Sequence, residues 1–526
     1  MLLVIVAALA YRLPRLDQRP MHTDEAVHAV KAGTLIETGK YVYDPHQYHG
    51  PTIYYFALPF IWFAGAQTLA QTNEVMFRLV PVVAGVIVVL LLLGLGDGLG
   101  WWAVLCAGLL TAFSPAMIFY SRYYIQEMVL VAATLGVIVS AWRYTREHKL
   151  YWVLLAGACL GLMHATKETC VLAVGAFGVA AVLTALWARR RDGAWPWAGW
   201  AMPAYPKAFF HTVVVVVAAV VVSAVFMSGL FSNPRGILDS YLAYTHYFGR
   251  AAASSHADGG ALHEHPWHYY LKLLLYTKDG PGPWWSEALI VVLALTGAAF
   301  ALSWKSGGAH PTRPASANVN LVRFIAFYTI VLTAGYSIIP YKTPWCMLGF
   351  LQGMIMLAGL GAVCLIRLGP NIPARIVIGI LLALGLAHLG KQAYMTNYVY
   401  YADTRNPYVY AHTSSDTLDL AERIQDLAHV SPARKDMVVK VIAPGADYWP
   451  LPWYLREFPN VGYWHEPSAD LKAPVVIVST NIEPVVQDKL NASDNYQVEY
   501  YGLRPEVLVT TFIRKDLWDA FIRTRM

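Results

Sequence analysis

Apolar runs separated by short polar turns recur along most of this chain. A run of about 20 residues crosses the hydrocarbon core of a bilayer as a helix. Such runs lie at 77–95, 101–120, 127–142, 150–166, 170–187, 209–230, 284–303, 321–339, 345–366 and 374–390. The opening stretch, 1–11, is apolar but short. As a helix it rises roughly 17 Å, against a core of about 30 Å. No basic segment precedes it and no small-residue cleavage site follows, which speaks against a cleaved leader. Either the helix continues through Leu13 and Leu16, or the first residues of the natural start are missing; the second is the expectation.

Basic clusters between the runs set the orientation. Arg143, Arg146 and Lys149 form one, Arg189 to Arg191 the next, then Lys305 with Arg313, and Arg367 with Arg375. Each lies two spans from the next, so all share the cytoplasmic face. The loop carrying Asp24 and Glu25 then faces outside only if the apolar stretch Pro51 to Leu69 does not cross. That stretch is accordingly expected to be a juxtamembrane or re-entrant helix. The expected architecture is a polytopic α-helical protein of the cell membrane with about 11 transmembrane helices, its N-terminus cytoplasmic; 12 spans is the rival count. Residues 1–392 form the membrane domain, with exterior loops 13–76 and 231–283. Residues 393–526 read as an extracytoplasmic α/β domain. Within it, Val438 to Ile442, Val475 to Val478 and Val507 to Val509 are β-branched runs bounded by turn residues, and Thr417 to His429 and Pro450 to Phe458 read as helical.

Composition agrees. The chain is 57% hydrophobic and 14% charged, where a soluble protein carries about 25% charged residues. Its 18 Trp and 33 Tyr suit residues that collect at membrane interfaces. The net charge of +6 resides in inter-span clusters, so it is no nucleic-acid signal. Five cysteines sit in or beside apolar runs without C-x-x-C spacing, and read as small buried hydrophobes.

The candidate chemistry begins at Pro20-Met21-His22-Thr23-Asp24-Glu25-Ala26-Val27-His28 and continues to His49-Gly50-Pro51. Asp24 and Glu25 precede a helix-like run, Ala26 to Ile36, which Thr23 or Asp24 would cap. A capped interfacial helix is the plain reading. The functional one rests on three points. His28 shares a helical face with both acids. A carboxylate at a low-dielectric boundary costs free energy unless it is paired or used. A second acid, Glu127, opens another span on the same face. Arg122, Lys167 and Lys342 stand at exterior span ends, where they either snorkel to headgroups or line a pocket for an anionic one. His246, His256, His263-Glu264-His265 and His268 crowd the long exterior loop. They are either solvated or ligands for a divalent metal ion.

These residues resemble the membrane-embedded glycosyltransferases of the C superfamily, and within it glycosyltransferase family 39, the protein O-mannosyltransferase and aminoarabinose transferase family. Asp24-Glu25 follows the first span, and His49-Gly50-Pro51-Thr52-Ile53-Tyr54-Tyr55 stands in place of an H-P-P-x-Y-Y stretch. Phe77-Arg78-Leu79-Val80-Pro81, Ser114-Pro115, Ser121-Arg122 to Glu127 and Thr166-Lys167 are similar to further family motifs. A nearer resemblance is to the flippase-activity-associated protein group, through His22 to His28 and Tyr341-Lys342-Thr343-Pro344-Trp345. The resemblance covers the first 170 or so residues and the region of Lys342. It implies a sugar moved, with inversion, from a polyprenyl-phosphate donor to an acceptor hydroxyl of a protein, lipid or glycan on the exterior face. Asp24 would be the base, Glu25 would orient it or bind a metal, and Glu127 would position a substrate. Arg122, Lys167 and Lys342 would hold the donor phosphate, with His28, His49 and Tyr54 as first-loop support. His263, Glu264 and His265 would complete a metal site with Glu25. The chain departs from the family at Gly50, and by using Glu in the second loop. Two other readings stay open: a transporter or lipid flippase, and an assembly factor on the same fold without activity.

Overall fold

The computed structural model describes residues 1–46, 49–196, 205–308, 310–468 and 470–525, without the side chains of 205, 246–252, 493 and 494 and with no description of 253–262. Seven helices are long and apolar enough to cross a membrane: Glu74–Leu99, Glu127–Glu147, Cys170–Asp192, Pro206–Met227, Val319–Ile338, Pro344–Leu368 and Ile372–Val399. Five more are apolar but shorter: Leu2–Arg12, Thr52–Phe63, Trp101–Phe113, Leu150–Thr166 and Ala288–Ser303. Helix Leu348–Leu368 is the hub. It packs against Ala288–Ser303, Trp101–Phe113 and Val319–Ile338, and Gly359 and Gly361 let neighbouring backbones come so close that a Cβ would meet carbonyl oxygens at 2.3 and 2.1 Å. By contrast Ile372–Val399 and Pro206–Met227 are mostly unburied and apolar, as helices facing lipid must be.

The stretch expected to run from Pro51 to Leu69 as one juxtamembrane helix is a helix of 12 residues, Thr52–Phe63. At about 1.5 Å per residue it is too short to cross. It packs beside Thr23–Thr38 and Glu74–Leu91. Ser114 breaks the run 101–120 into Trp101–Phe113 and Pro115–Tyr120, because Pro115 has no N–H to continue the ladder and sits at the first position of the next helix.

The C-terminal part forms a five-stranded sheet in the order β2-β1-β3-β5-β4, with β1 Val439–Ile442, β2 Val461–Trp464, β3 Val475–Ser479, β4 Tyr496–Arg504 and β5 Val507–Arg514. The first three strands are parallel; β5 and β4 are antiparallel additions. The runs at 438–442, 475–478 and 507–509 are the three central strands. Strands β2 and β4, which the pattern did not predict, are the two edges, half-exposed and therefore free of continuous β-branched runs. The helix expected over Pro450 to Phe458 is only one turn, Leu451–Tyr454. Phe458 precedes Pro459, which disfavours helical backbone there, and the intervening aromatics are committed to docking.

That docking fixes the sheet against the helix bundle. Tyr454 Oη accepts from Met21 N–H at 2.7 Å, Trp453 Nε1 donates to Glu74 at 2.9 Å, and Arg456 donates to the Thr72 carbonyl at 2.9 Å. The strap leading into the sheet adds Thr413 Oγ1 on the Met21 carbonyl, at 2.6 Å.

Candidate functional site

Helix Thr23–Thr38 starts at the candidate acids. Its N-cap is neither Thr23 nor Asp24 but His22. The His22 Nδ1 accepts from Asp24 N–H at 3.0 Å, and Glu25 accepts from His22 N–H at 3.1 Å, a reciprocal capping box. The other imidazole nitrogen, Nε2, faces the Tyr410 carbonyl at 3.2 Å. A carbonyl needs a donor, so the ring is the neutral Nε2–H tautomer. Burial keeps it so, lowering the His22 pKa below 6.5 despite the nearby Asp24 and Glu25.

The adjacent acids have opposite fates. Glu25 is wholly buried. Arg78 Nε and Nη2 donate to its two oxygens at 2.8 and 2.7 Å, and Tyr124 N–H adds a bond of 2.8 Å. Burial alone would raise its pKa, but Arg78 and Arg19 outweigh it and hold the carboxyl at about 2. The remaining Arg78 donors serve the carbonyls of Leu16, Arg19 and Pro20, so one guanidinium gathers the whole approach to the helix. Asp24 keeps a side chain 38% exposed.

Glu127 and Lys167 form a buried ion pair. The pair opens on a cleft of about 380 Å³ bounded by Tyr328, Tyr336, Trp345 and Cys346. Trp345 also packs against the first loop, 5.9 Å from the His22 ring and 5.9 Å from Tyr123, centroid to centroid. It therefore forms the wall between the Asp24 side and the Lys167 side.

First-loop support takes a definite form. His28 Nδ1 meets Tyr54 Oη at 2.9 Å, and His49 Nδ1 meets Glu168 at 2.7 Å, where Tyr43 Oη also donates at 3.1 Å. Lys167 and Glu168 thus point to different partners from one turn. Gly50 explains the departure from H-P-P. Its N–H donates to the Thr166 carbonyl at 3.1 Å, and a Cβ would lie 2.0 Å from the Ala165 oxygen. Proline meets neither requirement.

Two expected phosphate ligands are engaged elsewhere. The Arg122 guanidinium donates to the carbonyls of Arg12, Pro14 and Arg15 at 2.9, 2.7 and 2.9 Å, and to Tyr398 Oη. It caps the end of the first helix, whose last carbonyls lack helical partners. Lys342 donates to the His265 carbonyl at 2.9 Å and to that of Ile339. Of the three cations expected at the phosphate, Lys167 is the one lining the cleft.

The expected metal site does not form. His263 Nδ1 is paired with Tyr410 Oη at 2.8 Å, the His265 ring stacks on Tyr269 at 4.1 Å, and Glu25 is taken by Arg78. Among the described residues no three His, Cys, Asp or Glu side chains stand together as metal ligands. His256 lies outside the described residues, as does the His246 side chain.

Sequence reasoning singled out neither Arg78 nor Glu168 as part of the site, and it missed Glu287. Arg78 carried a signal, being a charge inside an apolar run. Glu287 caps the Pro115–Tyr120 helix, accepting from Ser114 Oγ at 2.5 Å, Ala116 N–H at 2.9 Å and Tyr408 Oη at 2.7 Å. Tyr410 and His412, stacked 5.6 Å from His22, arrive from the strap with no local pattern to announce them.

Residues 50–233 match the dolichyl-phosphate-mannose-protein mannosyltransferase family. No curated protein sequence matches the chain. Among solved structures it is similar to ArnT from Cupriavidus metallidurans, both apo and bound to undecaprenyl phosphate, with 13% identity, 97% of each chain covered and a TM-score of 0.61. It is also similar to the Archaeoglobus fulgidus oligosaccharyltransferase in the apo form, at 11% identity, over 95% of this chain and 73% of that one, with a TM-score of 0.57. The same archaeal enzyme in complex with an inhibitory peptide and a dolichol-phosphate gives 12% identity and a TM-score of 0.54, covering 95% of this chain and 72% of that one. The fold is therefore that of multi-pass membrane glycosyltransferases, and a mannosyltransferase-family domain lies within it.

Proposed function

We propose that the protein transfers a sugar from a polyprenyl-phosphate donor to an acceptor hydroxyl, at the membrane face that carries the sheet domain. On this reading that face is extracytoplasmic and the N-terminus lies on the opposite one. The contrast between Asp24 and Glu25 carries the proposal. Glu25 is neutralised and locked by Arg78, whereas Asp24 is anchored through its backbone and keeps a half-exposed carboxylate. That is the arrangement a general base needs: an ionised group held in place but not consumed by its holder. Asp24 would take the proton of the acceptor hydroxyl. The hydroxyl oxygen would bond to the sugar's anomeric carbon from the face opposite the phosphate. The bond from that carbon to the phosphate oxygen would break, its electron pair staying on the phosphate.

Lys167 would meet the charge that grows there. An ammonium has three donors, and Glu127 orients the group while occupying one. Similarity in fold to a structure bound to undecaprenyl phosphate and to one bound to a dolichol-phosphate supports a lipid-phosphate carrier. The gathering of candidate charges on the one face that bears the sheet favours this reading over a transporter, whose ionisable groups belong at mid-membrane. The test is incubation of the purified chain in lipid with a panel of polyprenyl-phosphate sugars. Release of polyprenyl phosphate on adding acceptor is expected, and its absence across the panel would count against the proposal.

A further inference from the structure

Inward from Lys167 and Glu127 the cleft continues into the bundle. A second cavity of about 210 Å³ shares Val131, Thr134, Tyr328 and Gly349 with the first and ends on Gln352. Gln352 lies six residues beyond Cys346, so it is about 9 Å deeper along its helix. Helices Glu127–Glu147, Val319–Ile338 and Leu348–Leu368 wall this recess, and the last is buried along most of its length.

Polar groups in such a place need partners. Gln352 is 3% exposed and Tyr328 1%. Neither the Gln352 amide oxygen nor its nitrogen has a hydrogen-bond partner among the described residues, and the Tyr328 hydroxyl has none either. All three atoms belong to side chains that line the recess. An isoprenoid chain carries no donors or acceptors, so it would leave these groups unsatisfied. A polyhydroxylated ring offers both, and the aromatic face of Trp345 at the mouth suits its apolar side.

We infer that the recess floored by Gln352 and Tyr328 is the subsite for the sugar of the lipid-linked donor, and that Gln352 determines which sugar is accepted. This rests on the transferase reading above. The lipid chain then runs elsewhere, along the outer surface of the bundle. Only the sugar, tethered to a phosphate at Lys167, descends into the protein.

The experiment compares wild type, Gln352→Leu and Tyr328→Phe as full chains in lipid nanodiscs. Undecaprenyl phosphate and its mannose and aminoarabinose derivatives serve as probes. Wild type is expected to bind one sugar-bearing lipid about tenfold or more tightly than the bare phosphate. Both variants should lose most of that preference, keep the affinity for bare undecaprenyl phosphate, and melt no lower than wild type, because each loses an unpartnered polar group. A preference that survives in Gln352→Leu overturns the inference, as does a marked fall in melting temperature, which would assign Gln352 a structural role. Wild type binding bare and sugar-bearing lipids equally also overturns it while leaving the transferase reading standing. Wild type binding none of the probes removes both.

Discussion

Arg78 grips both oxygens of Glu25, at 2.8 and 2.7 Å, from a helix that follows the acid by more than fifty residues. Both groups are buried, so each is tolerable only because of the other. Removing one partner should therefore cost about 3–5 kcal/mol. Arg78→Leu and Glu25→Gln should each lower the thermal midpoint by several degrees in detergent. Arg78→Lys should also lose stability, since a lysine cannot reproduce the two-pronged contact. Full stability in Arg78→Leu would show that the pair does not hold the loop.

Acid should loosen the same loop in two stages. The Glu25 carboxyl titrates near 2 in the fold against 4.5 for the free group. Its contribution is complete above 4.5 and is lost as pH falls toward 2. His22 is held neutral, its pKa lowered from 6.5, so its contribution is complete above 6.5 and declines as pH falls below that value. His28 and His412, shifted down by burial, act in the same direction. Melting temperature measured against pH should fall from pH 6.5 downward and steepen below 4.5. His22→Asn, which keeps an N-cap side chain, should flatten the upper part, and Glu25→Gln the lower. An unchanged profile in both variants would contradict these assignments.

Gly50 should tolerate no side chain. Gly50→Ala places a Cβ where the Ala165 oxygen lies, at 2.0 Å, and should cost about 1–3 kcal/mol. Gly50→Pro adds the loss of the N–H bond to Thr166 and should be worse. Thermal unfolding of the two variants, ranked against wild type, checks the order.

Arg122 and Lys167 should separate stability from binding. Arg122→Gln should lower the melting temperature while leaving affinity for undecaprenyl phosphate near wild type. Lys167→Met should reduce that affinity by about tenfold or more, as loss of a charge-assisted contact does. If Arg122→Gln instead loses lipid binding at unchanged stability, the guanidinium serves the phosphate after all.

Most of the fold was legible because lipid demands long apolar helices, and length alone marks them. The central strands β1, β3 and β5 were legible for a related reason: burial on both faces leaves β-branched runs. Edges β2 and β4 left no such mark. At the site, Asp24 and Glu25 were legible as a pair but not in their division of labour, which depends on Arg78 and the Tyr124 N–H reaching one and not the other. Arg122 and Lys342 looked like anion ligands because a cation at a span end carries no sign of its partner. The structure turns both toward backbone carbonyls left bare by helix ends and turns. His22 as the cap, with Tyr410 behind it, was hidden because its partner lies almost 400 positions away.

The most direct test of the account is a comparison of wild type with Asp24→Asn, each loaded with the polyprenyl-phosphate sugar that wild type turns over. Binding of the donor and release of polyprenyl phosphate are followed in the same sample. The account predicts that Asp24→Asn folds, binds donor with wild-type affinity and loses transfer by about a hundredfold or more, as removal of a general base does. Transfer at wild-type rate by Asp24→Asn would contradict it.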